Sequence, residues 1–175
     1  MREMARGIDT KPHLEWLDGV ESVAVRPNTP HGVAAMQMLK LLDRQGGEFG
    51  QAMPELHVRL SDNTVLLPDV AFYRNDALLS VPRDERLIPA IPAEVLVEVR
   101  SPNDRPGFRE EKIRRYLAWG TPLVFDVDPP ARTIVVHTVA GVRRLTQDDT
   151  FADPLVPWLT FDVSEVFDRL DRLGL

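Results

Sequence analysis

The sequence contains no cysteine, which excludes disulfides, thiolate metal sites and cysteine nucleophiles together. It has no apolar run long enough to cross a bilayer. Its opening, MREMARGIDTKPHLEW, alternates charge with small residues where a secretory signal would be continuously apolar. These absences predict a cytoplasmic protein with no membrane partner. Basic charge is also short: 21 Lys and Arg against 27 Asp and Glu leave a net charge of −6. That excludes a general nucleic-acid coat protein, because neutralising phosphate takes Lys and Arg. Repeats, low-complexity tracts and linkers are missing as well. What is present, 175 residues with 43% hydrophobic and 27% charged side chains, suffices for one ordinary domain with a sizeable core and is too short for two. The expectation is a single domain over residues 1–175.

The chain is organised around Pro92 to Gly120, PAEVLVEVRSPNDRPGFREEKIRRYLAWG. Side chains of a strand alternate with a period of two, so Val95, Val97 and Val99 share one face and Glu94, Leu96, Glu98 and Arg100 the other. Glu98 thus lies in a strongly apolar run, where a carboxylate is desolvated and needs a cation, a metal or several donors. A helix follows. At its period Phe108, Lys112, Tyr116 and Trp119 line one side. If that side packs on the strand, an acid and an ammonium meet over an apolar floor, as in active sites that perturb their ionisable groups. Alternatively Lys112 snorkels past its aromatic neighbours to water and Glu98 is a satisfied core polar group. Between Asp104 and Arg115, the basic residues Arg105, Arg109, Lys112, Arg114 and Arg115 outnumber Asp104, Glu110 and Glu111. That run reads either as a local basic patch or as a solvated mixed-charge face.

Elsewhere the pattern alternates strand and helix signals. Leu14 to Val25 reads as a hairpin or bent strand around Asp18-Gly19. Thr29-Pro30 reads as an N-cap and first-turn proline of a helix that runs to about Asp43 and stops at Gly46-Gly47. Glu55 to Leu60 and Asn63 to Tyr73 read as two strands. Pro68 marks an edge or bulge in the second, because proline cannot donate to a ladder, and Asp69 sits beside that irregularity. Residues 74–92 read as a surface loop. Leu123 to Val127 and Thr133 to Val139 read as strands across a turn at 128–131, with Arg143 to Leu145 as an edge strand. A last helix begins at Asp162, with Glu165 completing a capping-box-like pair. The whole predicts an α/β or α+β fold with a mixed sheet and helices against it.

Several stretches in this order carry a likeness: LEWLDGVE, PHGVAAMQ, LPDVAFY, PAEVLVEVRSPNDR, KIRRYLAWGTPLVFDVDP and PLVPWLTFDVSEVF. Together they resemble the Uma-type family, described as putative restriction endonucleases, a branch of the PD-(D/E)xK nuclease-like superfamily. The resemblance implies a restriction endonuclease-like αβββαβ core and a DNA endonuclease using Mg2+, with Mn2+ as a substitute. It implies Asp69 and Glu98 as metal-binding and catalytic carboxylates, with the Val99 carbonyl as a further ligand and Lys112 as the catalytic lysine on the helix. Magnesium takes hard oxygen ligands and keeps several waters, so two carboxylates and a carbonyl suffice. Substrate contacts are expected from Arg100, His31, Arg105, Arg109 and Tyr116, and the partners are expected to be DNA and a second copy of the chain. Arg100 occupies the superfamily's usual lysine position, where it can clamp phosphate or pair with Glu98. The first helix carries Gly32 and Gln37 where related nucleases present an acid, and Glu15 and Glu21 are possible extra oxygen donors.

Two other functions stay open beside the endonuclease. One is a non-catalytic module of the same fold, in which Asp69, Glu98, Lys112 and Arg100 form a buried ion network. The other is an enzyme acting on a small phosphorylated substrate, since fold does not fix function.

Overall fold

The computed structural model describes residues 14–23, 28–102, 104–105 and 107–175. The opening segment, residues 1–13, and residues 24–25 of the expected hairpin lie outside these. Strands β1 (Leu14–Leu17) and β2 (Val20–Val23) form that hairpin, with Asp18 (φ 52°) and Gly19 (φ 80°) turning it. Helix α1 spans Thr29–Gly46. Its cap is Asn28 rather than Thr29: the Asn28 side chain accepts the His31 N–H at 3.0 Å, and Pro30 then falls in the first turn, where its missing N–H costs nothing.

The expected strand from Asn63 to Tyr73 is two strands in two sheets. β5 (Thr64–Leu66) joins a four-stranded sheet of order β2-β1-β5-β4, where β4 is Val58–Ser61. β6 (Val70–Arg74) joins a six-stranded sheet of order β10-β9-β8-β7-β6-β3. Leu67, Pro68 and Asp69 make the step between the sheets. Pro68 has no N–H to give either ladder, so the chain changes partners there. Strand β3 (Gly50–Pro54), at one edge of the larger sheet, carries no strong sequence signal. Residues 74–92 are not a plain loop, because they contain the short helix α2 (Asn75–Ser80) and a 3-10 turn at Glu85–Leu87.

The larger sheet's central strand is β7 (Val95–Val99), buried along its whole length. It runs antiparallel to β6 and parallel to β8 (Leu123–Asp128). The parallel step is made through helix α3 (Phe108–Trp119), since parallel neighbours need a crossover. Strands β9 (Thr133–Thr138) and β10 (Gly141–Thr146) complete that side as an antiparallel meander, and β10 is the expected edge strand. A separate pair, β11 (Thr150–Ala152) and β12 (Thr160–Asp162), precedes helix α4 (Ser164–Leu173). The Asp162 N–H donates to Glu165 Oε1 at 3.2 Å, half of the expected capping box.

Alternation along β7 divides the core. Val95, Val97 and Val99 pack with Met38, Leu41 and Leu42 of α1 and with α4. Leu96 packs on the other side with Ile113 and Tyr116 of α3 and with Val58 and Leu66 of the smaller sheet. Glu98 shares the side of Leu96, which aims its carboxylate between α3 and the smaller sheet. Among the described residues no helix is long and apolar enough to cross a membrane.

Close packing around Phe72 gives one stability prediction. A Cβ on Gly50 would fall 2.2 Å from the Phe72 ring and 2.8 Å from the Tyr73 carbonyl oxygen. Gly50→Ala is therefore expected to cost about 1–3 kcal/mol, the usual penalty of overpacking, read as a lower urea midpoint.

Candidate active site

The step at Pro68 places Asp69 at the end of β6, where its backbone and side chain extend the ladder that proline interrupts. Its N–H donates to the Val97 carbonyl at 3.0 Å, and its Oδ2 accepts the Val99 N–H at 2.7 Å. Oδ1 lies 3.1 Å from Nε2 of His31, in the first turn of α1. Burial alone would lower the pKa of His31, but the hydrogen bond and charge of Asp69 outweigh it, and the pKa is raised.

Beside Asp69 is a buried ion cluster. Lys112 reaches inward from α3 and is only 5% exposed, as is Glu98, while Glu15 of β1 is 2% exposed. The Lys112 ammonium lies 2.9 Å from Glu98 Oε1 and 2.8 Å from Glu15 Oε1, and donates to the Leu67 carbonyl at 3.0 Å. An ammonium has three N–H donors, so all three are used. Glu15 Oε1 also accepts the Leu67 N–H at 2.8 Å. Tyr116, expected at the substrate, is fully buried, and its hydroxyl donates to Glu98 Oε1 at 2.8 Å.

Two carboxylates thus share one ammonium. Burial pushes the Glu98 carboxyl up to about 8, the nearby charge of Lys112 opposing this and those of Asp69 and Glu15 adding to it. Burial would lower Lys112, but the charges of Glu98 and Glu15 overcome it and raise its pKa. The sign of the pH dependence follows. Above its ordinary value of 4.5, Glu98 keeps in the folded state a proton that the unfolded chain releases. Its contribution to stability is therefore greatest below 4.5 and is lost as pH rises toward about 8. The urea midpoint of the wild type is expected to fall across that window more steeply than that of Glu98→Gln.

These groups open onto a cleft that Glu55, Ser101, Asp104, Arg105 and Arg109 also line. Arg109 is held rather than free: it donates to Asp104 Oδ2 at 2.9 Å, and its Nε lies 2.9 Å from Asp126 Oδ1 on β8. Arg105 is exposed at the rim. Arg100 lies elsewhere. It donates to Asp128 Oδ2 at 2.7 Å beside a separate depression with Pro102 and Pro130, and it makes no pair with Glu98. Strand alternation would put it on the face of Glu98, but β7 ends at Val99, and alternation carries no further than the strand. Arg100→Ala is accordingly expected to leave divalent-ion affinity within about twofold of wild type by calorimetry, as for sites sharing no partner.

Three acids of this site were not assigned from sequence. Glu15 stood only as one possible oxygen donor beside Glu21, which is exposed. Its signal was the same as that of Glu98, an acid inside an apolar strand. Glu55, with φ 47°, donates its N–H to the Asp69 carbonyl. Asp104 accepts both Arg109 and the Ser101 N–H. Neither gives a local pattern that separates it from an ordinary loop acid.

Among the described residues no group of three or more His, Asp or Glu side chains stands ready to hold a metal ion. The donors nevertheless fit a magnesium-like ion that is held by one or two carboxylates and keeps its waters. Both hydrogen bonds of Glu98 fall on Oε1, which leaves Oε2 for a ligand. Asp69 is fixed beside it through Val99, and both carboxylates and Val99 line the cleft.

The family model described as "Putative restriction endonuclease", Uma2, matches residues 2–164. Among solved structures, a putative nuclease of DUF820 from Anabaena variabilis is similar over 97% of both chains, at 18% identity and a TM-score of 0.83. That likeness bears out the restriction endonuclease-like mixed fold. A DrdV–DNA complex matches 64% of this chain and 9% of its own at 18% identity and a TM-score of 0.39, too slight a likeness to define the fold. No curated protein matches.

Proposed function

The chain belongs to the Uma2 family of putative restriction endonucleases, and from that premise we propose that it is a divalent-metal-dependent DNA endonuclease. The observation that carries this reading is one cleft in which Asp69, just before β6, and Glu98, on the neighbouring β7, both stand, with Lys112 2.9 Å from Glu98.

Asp69, Glu98 and the Val99 carbonyl would hold the ion. When bound, magnesium or manganese supplies charge neutralisation at the phosphate and acidifies water. Asp69 keeps its oxygens in place through the Val99 N–H. Lys112 acts through its fixed positive charge, because its three donors are already engaged and its raised pKa keeps the proton on. A preorganised cation in a water-poor site favours the charge that develops as a phosphodiester breaks. Arg105 at the rim offers a contact to the DNA backbone, and with a net charge of −6 nucleic-acid contact is confined to such local patches or shared between two copies. Wild-type protein is expected to nick supercoiled plasmid with Mg2+ or Mn2+ and to stop on chelation.

The second reading is a non-catalytic member of the fold. It is favoured by the complete hydrogen bonding of Lys112, which by itself is what a structural ion cluster needs. Plasmid left intact with either metal would favour that reading.

A further inference from the structure

Pro68 leaves a problem that the residue before it must solve. Leu67 stands between two sheets, buried at 7% exposure, with an N–H and a carbonyl that no strand partner takes up. Buried backbone groups need partners, and here both come from side chains of the cluster: Glu15 accepts the N–H at 2.8 Å and Lys112 donates to the carbonyl at 3.0 Å. Glu15 Oε1 also lies 2.8 Å from the Lys112 ammonium. One oxygen on the N-terminal hairpin thus ties the catalytic lysine to the peptide two residues before Asp69. The hairpin is pinned to α3 a second time at the surface, where Arg115 donates to both oxygens of Asp18 at 3.0 and 2.5 Å. Glu15 and Asp18 on the hairpin face Lys112 and Arg115 on the helix, so the two ties have the same three-residue spacing on each element.

We propose that Glu15 is a positioning residue of the nuclease site, which keeps Lys112 and Asp69 in register by bridging Lys112 and the Leu67 peptide, and that strand β1 therefore contributes to the site. The proposal rests on the endonuclease reading above. Glu15 acts through Lys112 and Leu67, so its loss should slow turnover and leave DNA binding alone.

The test compares wild type, Glu15→Met and Asp18→Asn for metal-dependent plasmid nicking. Glu15→Met, which keeps the length of the side chain and removes the bridging oxygen, is expected to lower kcat at least about tenfold with KM for DNA little changed, as for small misplacements of reacting groups. Asp18→Asn cuts only the surface tie and is expected to keep kcat within about twofold, since an exposed pair holds little energy. A wild-type kcat in Glu15→Met overturns the proposal. Amide hydrogen exchange at Leu67 in Glu15→Ala is a readout that needs no cleavage: exchange is expected to speed at least about tenfold once the acceptor is gone, and unchanged protection overturns the proposal. If Glu15→Ala does not fold, the length-matched Glu15→Met carries the test. Wild type that leaves plasmid intact removes the endonuclease reading, while exchange at Leu67 still decides whether Glu15 holds this peptide.

Discussion

Lys112→Met is expected to abolish plasmid nicking and to cost about 3–5 kcal/mol of stability, the usual result of removing one partner from a buried ion cluster. Methionine nearly matches lysine in length, so the change isolates the charge and its donors. Without the ammonium, Glu15 and Glu98 face each other at 2% and 5% exposure, and the Leu67 carbonyl loses its donor. Repulsion between the acids is relieved only by taking up a proton, so the loss should be smaller at pH 5 than at pH 8. Urea denaturation at both values reads the stability, and nicking is measured where circular dichroism shows the variant folded. A second change, Glu15→Gln in the Lys112→Met background, removes one of the stranded charges and is expected to recover part of the stability, which a simple cavity effect would not do. Lys112→Met that cleaves like wild type, with Arg100→Ala inactive, would move the lysine's role to Arg100. The exposed pair of Arg100 with Asp128, outside the cleft, argues against that outcome.

The site shows which parts of a structure local sequence carries. Glu98 and Lys112 were legible because each breaks a strong local pattern, an acid in a valine-rich strand and a lysine on an aromatic helix face, and the two elements are sequential neighbours. The place of Asp69 beside a broken ladder was legible through Pro68, whose missing N–H marks one wherever it occurs, whereas its assignment as a metal carboxylate came only from the family resemblance. The consequence of that break, a chain passing from one sheet to the other, was not legible because it depends on which strands lie alongside, such as Trp16 beside Val65. The same holds for Glu15. Along the chain it differs little from Glu21, yet Glu15 points inward to Lys112 across a gap of almost a hundred positions while Glu21 is exposed. Arg100 misled for the opposite reason, since a local rule was extended one residue past the end of β7. Asn28 and Thr29 are both good caps, and only the backbone of the first turn chooses between them.

Asp69→Asn is the complementary experiment, expected to remove metal binding and cleavage while leaving the fold intact. The carbonyl of the substituted amide side chain can still accept the Val99 N–H now held by Oδ2 at 2.7 Å, and the backbone bonds to Val97 and Glu55 do not involve the side chain. The contact with His31 at 3.1 Å loses its charge, so stability is expected to change by no more than about 1–2 kcal/mol, the range for a weakened hydrogen bond. The effect on a cation is of another order, because a neutral amide replaces one of the two carboxylates proposed to hold it. Affinity for Mn2+ by calorimetry is expected to fall more than about 100-fold, beyond the loss seen when a merely supporting group is removed, and nicking should become undetectable at any metal concentration that wild type tolerates. Set beside Lys112→Met, the two variants fail differently. One is expected to lose stability and activity with Asp69 and Glu98 in place, and the other to keep stability and lose affinity for the cation. Asp69→Asn that still binds Mn2+ as tightly as wild type would mean that the cation sits elsewhere, and the assignment of Asp69 and Glu98 as its holders would fall with it.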